Sequence, residues 1–196
     1  MMDVLLSLAA LVFFAPILVI VAAAIKIQDG GPILFGHTRL GFGGRAFRCW
    51  KFRSMVVDAE ERLGALLVRD PVARAEWEAD HKLRRDPRVT PLGRFIRITS
   101  LDELPQLLNV LRGEMSLVGP RPIVADEAPR YGRWFRHYCA VRPGITGLWQ
   151  VSGRNDVGYR QRVAMDVLFA RSRSPTRYLG ILVMTLPAVV RRHGSY

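Results

Sequence analysis

Cysteine is scarce in this chain of 196 residues, which contains only Cys49 and Cys139. The two lie far apart with no second pair near either, and this excludes a zinc site or a disulfide framework of the usual spacing. Internal repeats, low-complexity tracts and a phosphate-loop glycine pattern are also missing. The 49% hydrophobic content is enough for one soluble core and a short membrane element. We therefore expect one catalytic domain with reduced, cytosolic thiols.

Lysine is scarce too: Lys26, Lys51 and Lys82 are the only lysines among 29 basic residues, and the net charge is +12. The excess of arginine favours nucleotides, anionic lipid head groups or nucleic acid, because the planar guanidinium binds phosphate oxygens in pairs. Genomic base composition explains the same excess equally well, since alanine is also abundant. The positions of the arginines must decide between these interpretations.

Residues 4–25 carry no charge, and this length fits the roughly 20 apolar residues that cross a bilayer. A cleaved signal peptide is the alternative, but the start carries Asp3 and no lysine or arginine. Positive charges follow the segment, from Lys26 to Arg53. The positive-inside rule then predicts that the rest of the chain is cytoplasmic.

Pro16 lies near the middle of the apolar segment, where proline removes a backbone donor and kinks or breaks a helix. A broken helix can dip into one leaflet and return, with both ends in the cytoplasm. A spanning helix tolerates proline as well. The residues alone leave both interpretations open.

Turn and helix signals divide the remaining chain. The segment 29–32 predicts the end of the first helix, 36–44 a flexible glycine-rich loop, and 57–79 one helix. Thr90 followed by Pro91 predicts a helix start whose apolar stripe faces either the core or a membrane interface.

Residues 99–105 are the most informative segment, because Asp102 and Glu103 are predicted in the first turn of a packed helix. The positive end of a helix keeps carboxylates ionised. An ionised carboxylate serves as a nucleophile toward phosphorus or as a magnesium ligand. Helix capping is the plain alternative.

Arg121, Arg142 and Arg154 each lie in a rigid or glycine-flanked turn downstream of the carboxylates. Such turns expose backbone N–H groups and direct a guanidinium at a phosphate. Each of the three, taken alone, is equally a solvated surface arginine. Together they predict a phosphate-binding site.

Several motifs resemble, in order, those of the bacterial sugar transferases, also called monotopic phosphoglycosyl transferases. They are KFRSM (51–55), RVT (88–90), TSLDELPQ (99–106), GEMS (113–116), GPRP (119–122) and RPGITGLWQ (142–150). The resemblance covers most of the chain. It implies an α-rich α+β fold, with a proline-broken re-entrant membrane helix (residues 1–28) and a small cytoplasmic helical catalytic domain (29–196). Interfacial amphipathic helices, a loop-rich active site and a bacterial inner-membrane location are further implications, and a homodimer is one option.

The resemblance also implies a two-step reaction. Asp102 attacks the β-phosphate of a UDP-sugar, UMP leaves, and undecaprenyl phosphate then attacks the aspartyl sugar-phosphate adduct. Glu103 holds Mg²⁺ across the diphosphate. The family's phosphate-binding arginine corresponds to Arg121, its basic motif to Lys51 and Arg53, and a downstream acidic residue of its active site to Asp166.

Within the family, the sequence resembles short members that initiate exopolysaccharide synthesis, which implies galactose as the first choice of sugar and glucose as the second. It departs from the family at Phe169, Arg173 and Tyr178. Two rival functions remain open: an inactive family member, and a basic, membrane-tethered binding or scaffold protein. Nucleic acid is not an expected partner, because Trp149 alone lies close to the loop arginines.

Overall fold

The computed structural model describes residues 2–80, 83, 85–153 and 157–190. Helices dominate these residues, and the strands form two small two-stranded sheets, so the predicted α-rich α+β class is confirmed. The helices are α1 (Met2–Asp29), α2 (Ala59–Arg69), α3 (Pro71–Asp80), α4 (Pro91–Ile98), α5 (Gln106–Leu111), α6 (Ala128–Tyr131), α7 (Phe135–Cys139), α8 (Leu148–Ser152), α9 (Tyr159–Arg171) and α10 (Pro175–Val190). The strands are β1 (Leu34–Leu40), β2 (Ala46–Phe52), β3 (Ser116–Val118) and β4 (Gly144–Thr146).

Helix α1 has 28 residues and, within the described part of the chain, is the one helix long and apolar enough to cross a membrane. Pro16 lies inside it, and the helix continues on both sides. The helix assignment runs through Pro16, and a break or bend at this residue stays a prediction. Proline fixes φ near the helical value, so the local cost is a lost hydrogen bond and some crowding.

Both ends of α1 contact the rest of the protein. Near its start, the Asp3 carboxylate accepts hydrogen bonds from Ser116 Oγ at 3.1 Å, the Leu117 amide at 3.0 Å and the Tyr178 hydroxyl. Near its end, Val21 and Ile25 pack with Phe52 and Ile96 in one buried cluster. The helix stops at Asp29, and the division into domains 1–28 and 29–196 stays a prediction.

The middle of α1 is an exposed apolar surface. Val12, Phe13, Val19 and Ile20 are each 67–76% exposed. An apolar band of this size is unfavourable in water and is typical of a membrane or protein contact. The structure thus supports membrane association of α1.

The glycine-rich segment predicted as a loop forms most of β1. It pairs antiparallel with β2 from Leu34 opposite Phe52 to Leu40 opposite Ala46. Gly36 fits this hairpin because an added Cβ would lie 2.8 Å from the Arg48 side chain. The loop prediction is wrong for residues 36–40, because strand pairing depends on a partner that local composition does not reveal, whereas residues 41–44 do lie between the two strands.

The predicted helix over 57–79 is two helices, α2 and α3, separated at Asp70. The Asp70 carboxylate accepts hydrogen bonds from the Val72 and Ala73 amides, and Pro71 begins α3. The predicted start of α4 is confirmed, since Thr90 Oγ1 accepts a hydrogen bond from the Gly93 amide at 2.8 Å. Ile96 of its apolar stripe faces the core, whereas Phe95 is 56% exposed.

Strands β3 and β4 are parallel, with Ser116 opposite Gly144 and Val118 opposite Thr146. Gly119 and Gly144 come so close that an added Cβ on Gly144 would lie 2.0 Å from the Gly119 amide nitrogen. Their hydrogen bonds run from Gly119 N to Thr146 O and from Gly144 N to Pro120 O. This close pairing fixes the position of Arg121.

Candidate active site

The two predicted carboxylates lie in a 3₁₀ turn, Leu101–Glu103, between α4 and α5. The turn begins at Ser100, whose φ of 58° is left-handed and whose side chain makes no cap hydrogen bond. The predicted cap by the Ser100 side chain is therefore wrong, and the predicted first turn is a 3₁₀ turn that precedes α5 rather than part of one longer α-helix. Pro105 precedes α5 and lacks an N–H, and this separates the 3₁₀ turn from the helix.

Lys51 joins the two carboxylates to β2. Its Nζ lies 2.6 Å from Glu103 Oε1 and 3.9 Å from Asp102 Oδ2. Both Lys51 and Glu103 have about a quarter of the side chain exposed, at 28% and 27%, whereas Asp102 has 12%. Predicted site residues that are about 50 positions apart in sequence thus meet at one point.

The pKa of Asp102 is raised to about 6, chiefly because burial disfavours the charged carboxylate. The charge of Lys51 opposes this rise, and the charge of Glu103 adds to it. Burial thus outweighs the favourable charges on which the prediction of an ionised carboxylate relied. At neutral pH the ionised form still predominates, and it is lost as the pH falls through 6.

An open cleft lies next to this pair. Its lining residues include Arg39, Cys49, Lys51, Glu103, Arg121 and Gln150. Three of these are cations and one is an anion, so the cleft favours a negatively charged ligand. Arg121 was predicted as a phosphate ligand, and the structure brings it into the same cleft as Lys51 and Glu103.

Comparison with known proteins bears on this geometry. The family model for bacterial sugar transferases matches residues 1–192. An undecaprenyl-phosphate galactose phosphotransferase from Salmonella typhimurium is 51% identical over 99% of this chain and 40% of its own length. An uncharacterized sugar transferase from Haemophilus influenzae is 51% identical over 100% of this chain and 41% of its own. The exopolysaccharide production protein ExoY of Rhizobium meliloti is 48% identical over 99% of this chain and 86% of its own length.

The chain belongs to the bacterial sugar transferase family. It spans about two fifths of the length of the Salmonella and Haemophilus relatives and most of the length of ExoY. The predicted family resemblance is confirmed.

Two other residues predicted to bind substrate, Arg53 and Arg142, do not line this cleft. Arg53 donates hydrogen bonds to both Asp29 carboxylate oxygens and to the Pro32 carbonyl, with 6% of its side chain exposed. Arg142 is exposed on the surface. The structure gives Arg53 a structural contact with the end of α1, and substrate binding by either arginine stays a prediction.

The acidic residue Asp166 is buried on α9, where its Oδ2 accepts a hydrogen bond of 2.7 Å from the Tyr131 hydroxyl. Burial raises its pKa to about 7, and the bond from Tyr131 opposes that rise. It does not line the cleft around Lys51, so its role in the sugar transferase site stays a prediction. Arg154 lies outside the described residues.

Sequence reasoning missed Asn109, which attaches α5 to β2. Its side chain is fully buried, accepts a hydrogen bond from the Trp50 amide at 3.0 Å and donates to the Arg48 carbonyl at 2.7 Å. Because α5 follows Glu103 and β2 carries Lys51, these bonds fix the carboxylates relative to the lysine. The signal in the sequence was an asparagine within a leucine-rich helix, since an amide among core residues needs hydrogen-bond partners.

Arg97 at the end of α4 was also missed. Its Nε donates to Ser54 Oγ at 2.7 Å. Burial lowers its pKa, while the charge of Asp102 opposes that shift. Arg97 therefore adds a second positive charge near the Asp102 carboxylate of the sugar transferase.

Proposed function

We propose that the chain transfers hexose-1-phosphate from a UDP-sugar to undecaprenyl phosphate with release of UMP, as the initiating step of exopolysaccharide synthesis. One observation carries this proposal: an Asp102–Glu103–Lys51 cluster beside a cationic cleft, in a chain 51% identical to an undecaprenyl-phosphate galactose phosphotransferase. Galactose is the favoured sugar because that relative's name specifies it, and glucose is the second choice.

Asp102 is the proposed nucleophile. One carboxylate oxygen attacks the β-phosphorus of the donor, the bond from that phosphorus to the UMP oxygen breaks, and its electron pair leaves with UMP. An oxygen of undecaprenyl phosphate then attacks the same phosphorus and returns the Asp102 carboxylate. The partial burial of Asp102 favours this role, because a poorly solvated carboxylate is a stronger nucleophile toward a phosphate bound beside it.

Lys51 and Arg121 supply the charge that this chemistry needs. Lys51 lies near both carboxylates and close to the position at which the transferred phosphoryl group must bind. Arg121 lines the same cleft. Fixed cations at that position stabilise the negative charge on the phosphate oxygens as the bond to UMP breaks.

A Mg²⁺ ion fits this site when it binds together with substrate. The described residues hold no cluster of three or more carboxylates, histidines or cysteines that would form a protein cage. Magnesium in phosphoryl-transfer sites is held instead by one or two carboxylates and the substrate phosphates. Glu103 would supply that carboxylate, and the ion would neutralise charge on the donor diphosphate.

UMP release measured against a panel of UDP-sugars tests the reaction and the sugar together. With undecaprenyl phosphate and magnesium present in lipid particles, we expect UDP-galactose to release UMP at the highest rate. UDP-glucose is expected to be slower, since the two sugars differ at one hydroxyl group, and a missing or misplaced hydroxyl contact lowers the rate. Absence of UMP release with every UDP-sugar would instead favour an inactive or scaffolding member.

We further propose that α1 is re-entrant, so that it enters the inner membrane from the cytoplasmic face and returns to it. The support is that Asp3 and Asp29, at opposite ends of the helix, both hydrogen-bond to the remainder of the protein. A helix held in this way at both ends keeps them on one side of the bilayer. The exposed apolar residues between them are then the membrane-facing surface.

Accessibility of single cysteines in intact cells tests this topology. Cysteines introduced at Val4 and at Gly43, in a variant with Cys49 and Cys139 replaced by serine, are both expected to resist a membrane-impermeant maleimide. Both must react once the cells are permeabilised, which confirms that each thiol is accessible. Labelling at position 4 in intact cells would show a spanning helix and contradict the proposal.

A further inference from the structure

Arg39 is a cleft residue for which neither the sequence motifs nor the comparisons give a role. The register of the hairpin pairs Arg39 with Phe47 and continues to Cys49 and Lys51 on β2. Side chains alternate along a strand, and directly opposed residues share a face. Arg39 and Lys51 therefore point to the same side of the hairpin, toward the cleft that both line.

The Arg39 side chain is held in place before any ligand binds. Its Nη1 donates to the Pro122 carbonyl at 3.4 Å and lies 3.6 Å from Glu127 Oε1. Glu127 in turn accepts hydrogen bonds from the Val124 amide at 3.3 Å and the Tyr159 hydroxyl at 3.2 Å. With 22% of its side chain exposed, Arg39 keeps an open edge while its position is fixed.

Arg39 and Arg121 carry like charges and line the same cleft. Arg121 immediately precedes Pro122, and no carboxylate lies within ion-pair distance of it among the described residues. Burial, and then the charge of Arg121, lower the pKa of Arg39. Two guanidinium groups that line one cleft repel each other, and an anion bound in that cleft offsets the repulsion.

We infer that Arg39, together with Arg121, binds the diphosphate of the UDP-sugar donor. This inference rests on the proposed function and adds a residue to it. A diphosphate presents two phosphoryl groups, which match two guanidinium forks on separate segments, and its charge offsets their repulsion. The single phosphate of the lipid acceptor offers one such group.

Donor binding in the Asp102→Asn background tests the inference, because the donor is then not consumed. Titration calorimetry with UDP-galactose should show affinity reduced about 10- to 100-fold by Arg39→Gln, the loss expected for a hydrogen-bonded charge. The affinity of Arg39→Lys should fall between those of Arg39→Gln and the protein with Arg39 intact, since lysine keeps the charge but lacks the guanidinium fork. Arg48→Gln is the matched control, because Arg48 is exposed on the opposite face of the same hairpin.

A further variant distinguishes a direct contact between Arg39 and the donor from an effect of Arg39 on the surrounding structure. Glu127→Gln keeps the Arg39 charge but removes the carboxylate beside it, and it should weaken UDP-galactose binding less than Arg39→Gln does. If Arg39→Gln does not fold, Arg39→Lys carries the test, and it must lower donor affinity. Wild-type affinity in Arg39→Gln would overturn the inference.

Two further measurements distinguish donor binding from lipid binding, and failure of this inference from failure of the proposed function. In the active enzyme, Arg39→Gln should lower kcat/KM for UDP-galactose and leave kcat/KM for undecaprenyl phosphate unchanged. A change in kcat/KM for the lipid alone would overturn the inference. Binding of UDP-galactose that depends on Arg39, in a wild-type protein that never releases UMP, would support the inference and contradict the proposed function.

Discussion

Asp102→Asn is expected to lower the rate of UMP release by about 10⁴-fold or more, the size of loss seen when an enzyme loses its nucleophile. The amide has the shape of the carboxylate but does not attack phosphorus. The fold should survive, because the substitution removes a buried charge whose pKa is already raised to about 6. We therefore expect an unchanged or higher melting temperature together with an almost complete loss of turnover.

The chain contains a matched control for this variant. Asp126 lies in a second 3₁₀ turn, Ala125–Glu127, and is followed by a glutamate like Asp102, but it is exposed. Asp126→Asn makes the same chemical change in the same local structure and should leave turnover unchanged. Turnover of Asp102→Asn within tenfold of the Asp126→Asn rate would remove Asp102 from the mechanism, since a lost nucleophile costs about 10⁴-fold or more.

The parts of the fold that depend on local sequence were predictable. Thr90 and Pro91 specify the start of α4 because the hydroxyl cap and the fixed φ act within one turn. The turn at Asp29 likewise ends α1, with the Gly31 amide donating to the Asp29 side chain. The motif segments place Lys51, Glu103 and Arg121 in one site, because relatives that share them share the fold.

Properties set by distant contacts were not predictable from the same residues. The glycine-rich segment forms β1 because β2 pairs with it, and Arg53 lies away from the cleft because Asp29 and Pro32 accept its hydrogen bonds. The pKa of Asp102 depends on burial within the folded protein, which outweighs the charge on Lys51. Each of these outcomes is decided by a partner at least several residues away in sequence.

The departure of Tyr178 from the family pattern has a structural counterpart. Its hydroxyl donates to the Asp3 carboxylate, which also accepts hydrogen bonds from Ser116 and Leu117. The residue thus connects α10 to the start of α1. This contact between residues 175 positions apart gives the tyrosine a packing role that the sequence alone does not reveal.

A nucleophilic Asp102 predicts that UDP-galactose releases UMP once per active site when no lipid acceptor is present. The first half-reaction requires only donor, magnesium and enzyme, because the carboxylate accepts the phosphoryl group. The protein should then gain the mass of one hexose phosphate. The adduct is an acyl phosphate, so it should be lost in neutral hydroxylamine and survive better in cold acid. Rapid-quench kinetics with labelled UDP-galactose measures the burst, and intact-protein mass spectrometry measures the adduct.

Direct transfer predicts the opposite result, because both substrates must then be bound before any product leaves. Omission of undecaprenyl phosphate would in that case stop UMP release entirely. Asp102→Asn should give no burst and no added mass, whereas Asp126→Asn should give both at the wild-type amplitude. Enzyme preparations must first be shown to turn over with lipid present. A preparation that passes this check and gives no burst without lipid would exclude the covalent mechanism and leave the overall reaction intact.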